Sequence, residues 1–336
     1  MLYKYAIIGF GGLGKTHFAN LSELSHQRGN LELCAICGTD KSSVTKGVKL
    51  NLGEVDMSLE NLDNCNFYMD YKELLEKEKP DFVVCTLPTY LHEEVAVYAL
   101  SKGVHVFSEK PMALTMEGCR RMADASVKYG KKLMIGHCTR FDGAYVKLKE
   151  YIDRKTFGKV ISARFNRYSQ TPLWSWDNWV LDSKRSGGCI IDMHIHDVDL
   201  INWFFGKPKS VSTAAASVNR DMASVSSHYF YDDFFVAAEA DWLMAQTYPF
   251  NAGCTVNFEN ATVVLADGKL TVYKDDESFE PEISGKHFFL AEMEAFLDYI
   301  TKDETRADVS LESVCTTMEI VFAEIESAKK GTGICL

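Results

Sequence analysis

The sequence predicts an α/β protein: a doubly wound parallel sheet in the N-terminal part, followed by an α+β domain with an antiparallel sheet. Three observations carry this. Over residues 1–136, short apolar runs alternate with helical patterns across short connections. A glycine-rich loop joins the first apolar run to the first helical pattern. From Ser210 to Lys274, six strand-like runs follow one another with no helix between them.

In order, Tyr5–Phe10 is a short apolar run ending in glycines, and Thr16–Arg28 is helical and closed by Gly29. Leu31–Cys37 is the second strand and Tyr71–Lys79 a charged helix end. Asp81–Thr86 is the third strand, Leu91–Ser101 a helix, Val104–Phe107 a strand, Thr115–Tyr129 a helix and Leu133–Ile135 a strand. From about residue 137 the texture changes. Tyr145–Arg154 is helical, Val160–Tyr168 a strand and Gly187–Phe205 helical. Strands follow at Val211–Val218, Ser224–Tyr231, Phe234–Trp242, Gly253–Phe258, Thr262–Leu265 and Leu270–Tyr273, and helices return at His287–Ile300 and Leu311–Lys329.

The 336 residues suit two domains. At 46% apolar and 25% charged the chain is an ordinary globular one, which excludes disordered and collagen-like classes. The net charge of −11, with no Lys/Arg run longer than two, argues against nucleic acid and membrane surfaces as partners. No run approaches a membrane span, and Met1–Tyr5 leads straight into a strand without a signal-peptide pattern, so a cytoplasmic location is expected. The ten cysteines are then expected to be reduced. Cys34 and Cys37 form C-x-x-C inside a strand, where residues three apart face opposite ways; they read as buried thiols rather than a redox or zinc pair.

Gly9, Gly11 and Gly14 fit G-x-G-x-x-G, the dinucleotide fingerprint: a tight turn, a close approach to pyrophosphate, and helix–strand packing. The same segment fits the P-loop, because Lys15 and Thr16 follow Gly14. A P-loop enzyme needs an acidic residue at a strand end to hold Mg²⁺, and the apolar runs Phe82–Pro88 and Val104–Phe107 offer none, so the dinucleotide reading is preferred. In such a site the second strand ends in a carboxylate that binds the ribose. Here that position is Gly38, followed by Thr39, Asp40 and Lys41. Losing the carboxylate makes room for a 2′-phosphate on Lys41, Thr39 and Ser42, whereas Asp40 could shift in and restore NAD. The cofactor reading is NAD(P), leaning to NADP.

Lys110 follows the strand Val104–Phe107 and so falls at the carboxyl edge of the sheet, where ligands bind. In Gly187–Asp199, a helix would place Asp192, His196 and Asp199 on one face and turn His194 elsewhere. An Asp four residues before a His suits a general acid/base. A metal on Asp192, His196 and Asp199 is the weaker reading, because one helix face rarely completes a shell; no metal is assigned.

With these residues in place, the chain resembles the glucose–fructose oxidoreductase/inositol dehydrogenase (Gfo/Idh/MocA) family. The resemblance rests on the glycine loop, Cys85–His92, Gly103–Pro111, Gly136–Phe141, Phe157–Val160 and Gly187-Gly188…Asp192-x3-His196-x2-Asp199, and extends to Ser327–Gly331. It implies a Rossmann domain over 1–136 and an α+β domain over 137–336 built on a large, mostly antiparallel sheet, whose open face would join a homodimer or homotetramer. It also implies a catalytic set of Lys110, Asp192 and His196. Cofactor contacts would come from Gly9, Gly11, Gly12, Leu13, Gly14, Gly38, Thr39, Asp40, Lys41, Thr86, Leu87, Pro88, His92, Glu109 and Lys110. Two departures stand out: Gly38 replaces the usual acidic residue, and His194 stands where the family often has a small one, which would narrow the site.

The implied reaction is hydride transfer between nicotinamide and a carbinol carbon. His196 would exchange the hydroxyl proton, Asp192 would orient it, and Lys110 would bond the oxygen. Trp174, Trp176 and Trp179, mixed with Asp177 and Asn178, suit a sugar, polyol or cyclitol. Arg140 and Tyr168 join Trp176, Asp192 and His196 as candidate substrate residues, with Arg167, Lys184 and Arg185 open to an acidic group. The rivals are NAD-dependent glycoside hydrolysis on the same fold, a non-catalytic sensor, and a P-loop nucleotide-binding protein.

Overall fold

The computed structural model describes residues 2–45, 48–50, 53–55, 62, 65–217, 222–302 and 309–336. Val218, the expected end of one strand, lies outside them. The chain parts into two compact units, Met1–Gly136 with Phe289–Leu311, and His137–Phe288 with Glu312–Leu336.

In the first unit the elements run β1 (Tyr3–Ile8), α1 (Gly12–Arg28), β2 (Leu31–Cys37), β3 (Val48–Leu50), β4 (Gly53–Val55), β5 (Asn66–Tyr68), α2 (Tyr71–Glu78), β6 (Phe82–Cys85), α3 (His92–Ser101), β7 (His105–Glu109), α4 (Met116–Tyr129) and β8 (Leu133–Gly136). Six of the strands form one parallel sheet in the order β5-β2-β1-β6-β7-β8. Every residue of β6 and β8 is buried, as expected when helices cover both faces. The order runs outward from β1 to β5, then returns to the other side of β1 with β6. That reversal places the ends of β1 and β6 at a topological switch point, where such sheets bind ligands. Cys34 and Cys37 are both buried in β2, and burial pushes each thiol up to about 12. The pairing register with β1 skips at Cys34, whose thiol donates to the Tyr5 carbonyl.

The second unit begins with α5 (Gly143–Asp153), β9 (Val160–Gln170), α6 (Ser183–Ser186), α7 (Gly188–Asp192) and α8 (Ile195–Phe205). Strands β10 (Ser210–Ala216), β11 (Ser224–Phe230), β12 (Phe235–Met244), β13 (Asn251–Phe258), β14 (Thr262–Ala266), β15 (Lys269–Tyr273) and β16 (Ser278–Phe279) follow. The chain ends with α9 (Phe288–Thr301), α10 (Leu311–Lys330) and β17 (Ile334–Cys335). The nine-stranded sheet has the order β16-β15-β14-β13-β9-β12-β11-β10-β17. Its pairs are antiparallel except β9 with β12. Burial alternates strictly along β12: Val236, Ala238, Ala240 and Trp242 are buried, whereas Phe235, Glu239 and Leu243 are exposed. The buried face packs on Cys189 of α7 and on Met193, which follows it.

Two expectations change. The helix expected over Gly187–Phe205 is two helices, because the hydrogen-bond ladder shifts register at the junction: His194 N donates five residues back to Cys189 O, and His196 N and Asp197 N three residues back. The segment Phe289–Leu311, expected in the second domain, belongs to the first unit. The apolar side of α9 brings Phe296 within 5.6 Å of the rings of both Phe82 and Phe107, and Arg28 pairs with Asp298 at 2.9 Å. Among the described residues, no helix is long and apolar enough to cross a membrane. Phe296→Ala is expected to cost about 3–5 kcal/mol, seen as a lower denaturant midpoint of the first unit.

Candidate active site

The glycine loop meets the three demands of a dinucleotide site one residue at a time. Gly9 has φ 96°, and a Cβ there would lie 2.8 Å from the Thr86 carbonyl carbon. Gly14 packs so closely on the loop that a Cβ would strike the Gly9 carbonyl oxygen. Gly11 is the opposite case, since a Cβ on it would meet no protein atom. It also caps α1 without a side-chain bond, and no acidic residue stands in the first turn, so the helix N-terminus suits a pyrophosphate. Gly12 and Leu13, both half-buried, begin this helix.

The P-loop alternative fails on the same loop. Lys15 is buried, with its ammonium donating to the Ser43 carbonyl at 2.8 Å, and the Thr16 hydroxyl bonds back to the Gly12 carbonyl. Both side chains serve the fold rather than a triphosphate and its metal.

Around the switch point, Thr86 N donates to Ile8 O at 2.9 Å and its hydroxyl donates to Gly9 O, tying the ends of β1 and β6 together. His92 is buried, its ring nitrogens 2.7 Å from the Leu87 carbonyl oxygen and 2.8 Å from that of Pro111. Burial holds the ring below its usual pKa, and the single N–H of the neutral ring donates to one of these two carbonyls. His92 therefore positions the loops of Leu87–Pro88 and Pro111 and does not itself line the cofactor cleft, a correction to its expected role. At the end of β2, Gly38 donates to the Tyr68 carbonyl, and Thr39, Asp40 and Lys41 are exposed. The Asp40 carboxylate accepts from Ser42 N at 2.8 Å and Ser42 Oγ at 2.6 Å, capping the turn Lys41–Ser43.

Glu109 closes β7 and is buried; Lys110, next to it, is half-buried. The Glu109 carboxylate lies 2.7 Å from His17 Nε2 and accepts from Lys110 N at 3.3 Å. Burial raises Glu109, but His17 and Lys110 outweigh it and hold the group below its usual range. Glu292 of α9 is fully buried beside this pair, and burial and the Glu109 charge push it well up. The sequence reading missed His17 and Glu292. The signal was present for Glu292, which stands between Phe289 and Phe296 on the apolar side of its helix.

In the second unit, the stretch Asp192–Asp199 sorts its polar residues into two groups. Asp197, buried, receives both Arg167 Nε at 3.0 Å and Arg167 Nη2 at 2.9 Å. Asp199, buried, receives Arg140 at 2.7 and 2.5 Å and the Thr317 hydroxyl at 2.9 Å, with His137 Nδ1 3.4 Å away. Burial pushes Asp199 up, but Arg140, His137 and Thr317 together hold it below the usual carboxylate range. His194, buried, turns to Tyr229 and Glu324. Only Asp192 and His196 remain half-buried.

Four expectations are corrected here. Asp199 does not share a presenting face with Asp192 and His196, which removes the three-ligand metal face. Arg140 is buried against Asp199 and so is not a substrate contact. Tyr168 lies on the sheet face opposite Arg167, where its hydroxyl donates to Glu239 at 2.6 Å, away from the face that packs on α7. His194 points into the core and narrows no site. Of the three tryptophans, Trp179 packs on the core of Val180, Cys189 and Trp242, while Trp174 and Trp176 are 57% and 60% exposed. The loop turns through Asp177 and Asn178, at φ 51° and 48°, and Arg185 pairs with Asp177 at 2.9 Å and lies 6.0 Å over the Trp176 ring.

Comparison with known proteins agrees with this geometry. The family model for an oxidoreductase family with an NAD-binding Rossmann fold (GFO_IDH_MocA) matches residues 3–137, and the GFO/IDH/MocA C-terminal domain matches residues 145–280. Inositol 2-dehydrogenase of Salmonella typhimurium is 27% identical over 212 residues, 62% of this chain and 56% of that protein. A 2,7-anhydro-N-acetylneuraminate hydratase of Mediterraneibacter gnavus is 28% identical over 218 residues, 64% of this chain and 52% of that protein. The chain spans about half the length of the curated relatives it matches. Among solved structures, levoglucosan dehydrogenase in complex with NADH and levoglucosan superposes with TM-score 0.84 at 17% identity, covering 100% of this chain and 99% of that one. For myo-inositol 2-dehydrogenase from Lactobacillus plantarum the values are 0.79 and 22%, with both chains fully covered. These likenesses show a shared fold.

Two outcomes are expected. Gly11→Val, whose side chain meets no protein atom at Cβ, should leave the melting temperature unchanged and weaken NADH or NADPH binding ~10-fold or more, measured by fluorescence titration. Asp199→Asn, which leaves Arg140 buried without its charge partner, should cost about 3–5 kcal/mol in chemical denaturation. Because Asp199 is held below its unfolded value of about 3.9, its contribution is present above that pH and is lost as pH falls through the lower folded value.

Proposed function

We infer the function from one premise: the chain belongs to the Gfo/Idh/MocA oxidoreductase family, whose two domain types match most of its length. We propose that it is an NAD(P)-dependent dehydrogenase or reductase acting on a CH–OH group of a sugar, polyol or cyclitol. One observation carries the reading. Of the acidic and imidazole groups in Asp192–Asp199, Asp192 and His196 alone are half-buried; His194, Asp197 and Asp199 are fully buried.

The glycine cradle of Gly9, Gly11 and Gly14, with Thr86, Leu87 and Pro88 beside it, would hold the dinucleotide, and the bound nicotinamide supplies hydride exchange. His196 takes the substrate hydroxyl proton in oxidation and returns it in reduction, with Asp192 stabilising its charged form. Lys110 donates a hydrogen bond to the same oxygen as charge develops there. Exposed Trp174 and Trp176 offer flat apolar faces to a sugar ring. Gly38 and exposed Lys41, with Asp40 engaged in its own turn, favour NADP over NAD. The open sheet face carries Ile161, Phe230, Phe235, Leu243 and Tyr273, which suits a homo-oligomer contact. The hydratase relative favours a second reading, redox-neutral turnover with retained cofactor, in which substrate disappears with no net change at 340 nm.

His196→Ala is expected to lower kcat by about 10²–10⁴-fold while NADPH still quenches tryptophan emission. Full activity in that variant, across a panel of inositols, sugars and sugar acids, would refute the assignment. NADPH should bind more tightly than NADH, and the ratio of the two dissociation constants checks the leaning to NADP.

A further inference from the structure

The two presented residues sit on either side of a helix break, and the residue at the break is His194. Its backbone joins both helices: His194 N donates to Cys189 O at 2.8 Å, and its carbonyl accepts from Asp197 N at 3.0 Å and Val198 N at 3.1 Å. The ladder changes register here: Met193 N keeps the four-residue bond to Cys189 O at 2.9 Å, but His194 N reaches five residues back, and His196 N and Asp197 N only three. The ring adds a tie outside the ladder. His194 Nε2 lies 3.1 Å from Glu324 Oε1 and 3.2 Å from the Tyr229 hydroxyl, which itself donates to Glu324 Oε1 at 2.5 Å. All three side chains are fully buried. They come from three elements: the break, α10 and β11.

We propose that His194 is a positioning residue, locked by Glu324 and Tyr229 so that the α7–α8 junction presents Asp192 and His196 in one fixed arrangement. The inference rests on the reading of His196 as the proton carrier. A catalytic group displaced by about 1 Å can lose ~10²-fold in rate, so a junction where the ladder shifts register gains from such a lock. The lock is also ionic. The groups facing His194 are Glu324 of α10, Tyr229 of β11, Asp197 of α8 and Arg167 of β9. Burial opposes a charge on the ring, but Glu324 overrides it and raises the His194 pKa. Deprotonation as pH rises through this raised value then weakens the lock, and turnover falls with it.

The test uses the full-length chain with NADPH or NADH bound, whichever binds more tightly. Histidine ring NMR reads the titration midpoint of His196 without any substrate. Turnover of myo-inositol and a polyol panel gives kcat and KM against pH. Glu324→Gln, close to isosteric, is expected to move the His196 midpoint, to shift the alkaline limb of kcat to lower pH and to lower kcat by about tenfold, with KM little changed. His194→Leu, which removes the titrating ring, should move the His196 midpoint and lower kcat at least as much, and should abolish the part of the pH profile that His194 sets. His194→Gln, which keeps a donor where Nε2 stands, should restore most of both readouts. A His196 midpoint and a kcat profile identical to wild type in folded Glu324→Gln overturn the proposal, even where His196→Ala is inactive. An active His196→Ala instead overturns the reading beneath it.

Discussion

Two buried arginine–aspartate pairs, Arg140–Asp199 and Arg167–Asp197, fix the orientation of α8 in the second unit. Each is bidentate, and each ties the helix to a different element: Arg140 follows β8, and Arg167 lies on β9. A buried pair of this kind contributes little net stability over an apolar substitute, because both charges lose their hydration. What it contributes is directionality. A carboxylate that accepts two parallel N–H bonds permits one rotation of its helix about the axis. With Asp197 and Asp199 turned inward, the segment before them has one side left on which to show Asp192 and His196.

The fold was legible wherever burial imposes a period. Strands read from Ser210 to Lys274 recur within a residue or two, because alternation along β12 and its neighbours is imposed by a single covered face. The parallel strands were legible as unbroken apolar runs. What periodicity could not supply was long-range partnership. The apolar face of α9 fits either unit as a pattern; its return to the rings of Phe82 and Phe107 is decided by tertiary packing across about 190 to 210 residues of chain. The same limit explains the helix break. A 3.6-residue pattern runs through Gly187–Phe205 without interruption, yet His194 leaves it to reach Glu324, more than a hundred residues away.

The candidate site divides along similar lines. The roles of Gly9, Gly11 and Gly14 follow from backbone geometry within a few residues, and local motifs carry that information. Arg140 and Tyr168 were read as substrate residues on chemical type alone, and residue type does not say which side of a sheet or which carboxylate a side chain will find. His92 shows the subtler case. It stands in the right loop, but its ring is buried between two loop carbonyls and supports those loops from behind.

The return of α9 to the first sheet has a consequence for biosynthesis. Synthesis runs from the N-terminus, so β6 and β7 leave the ribosome well before Phe289–Leu311. Until then the rings of Phe82 and Phe107, and the buried Glu109 beside them, lack the helix that covers them. The first domain to be made is thus among the last to be finished, and the whole intervening unit must emerge while that apolar face stands open to chaperones or to a neighbouring nascent chain.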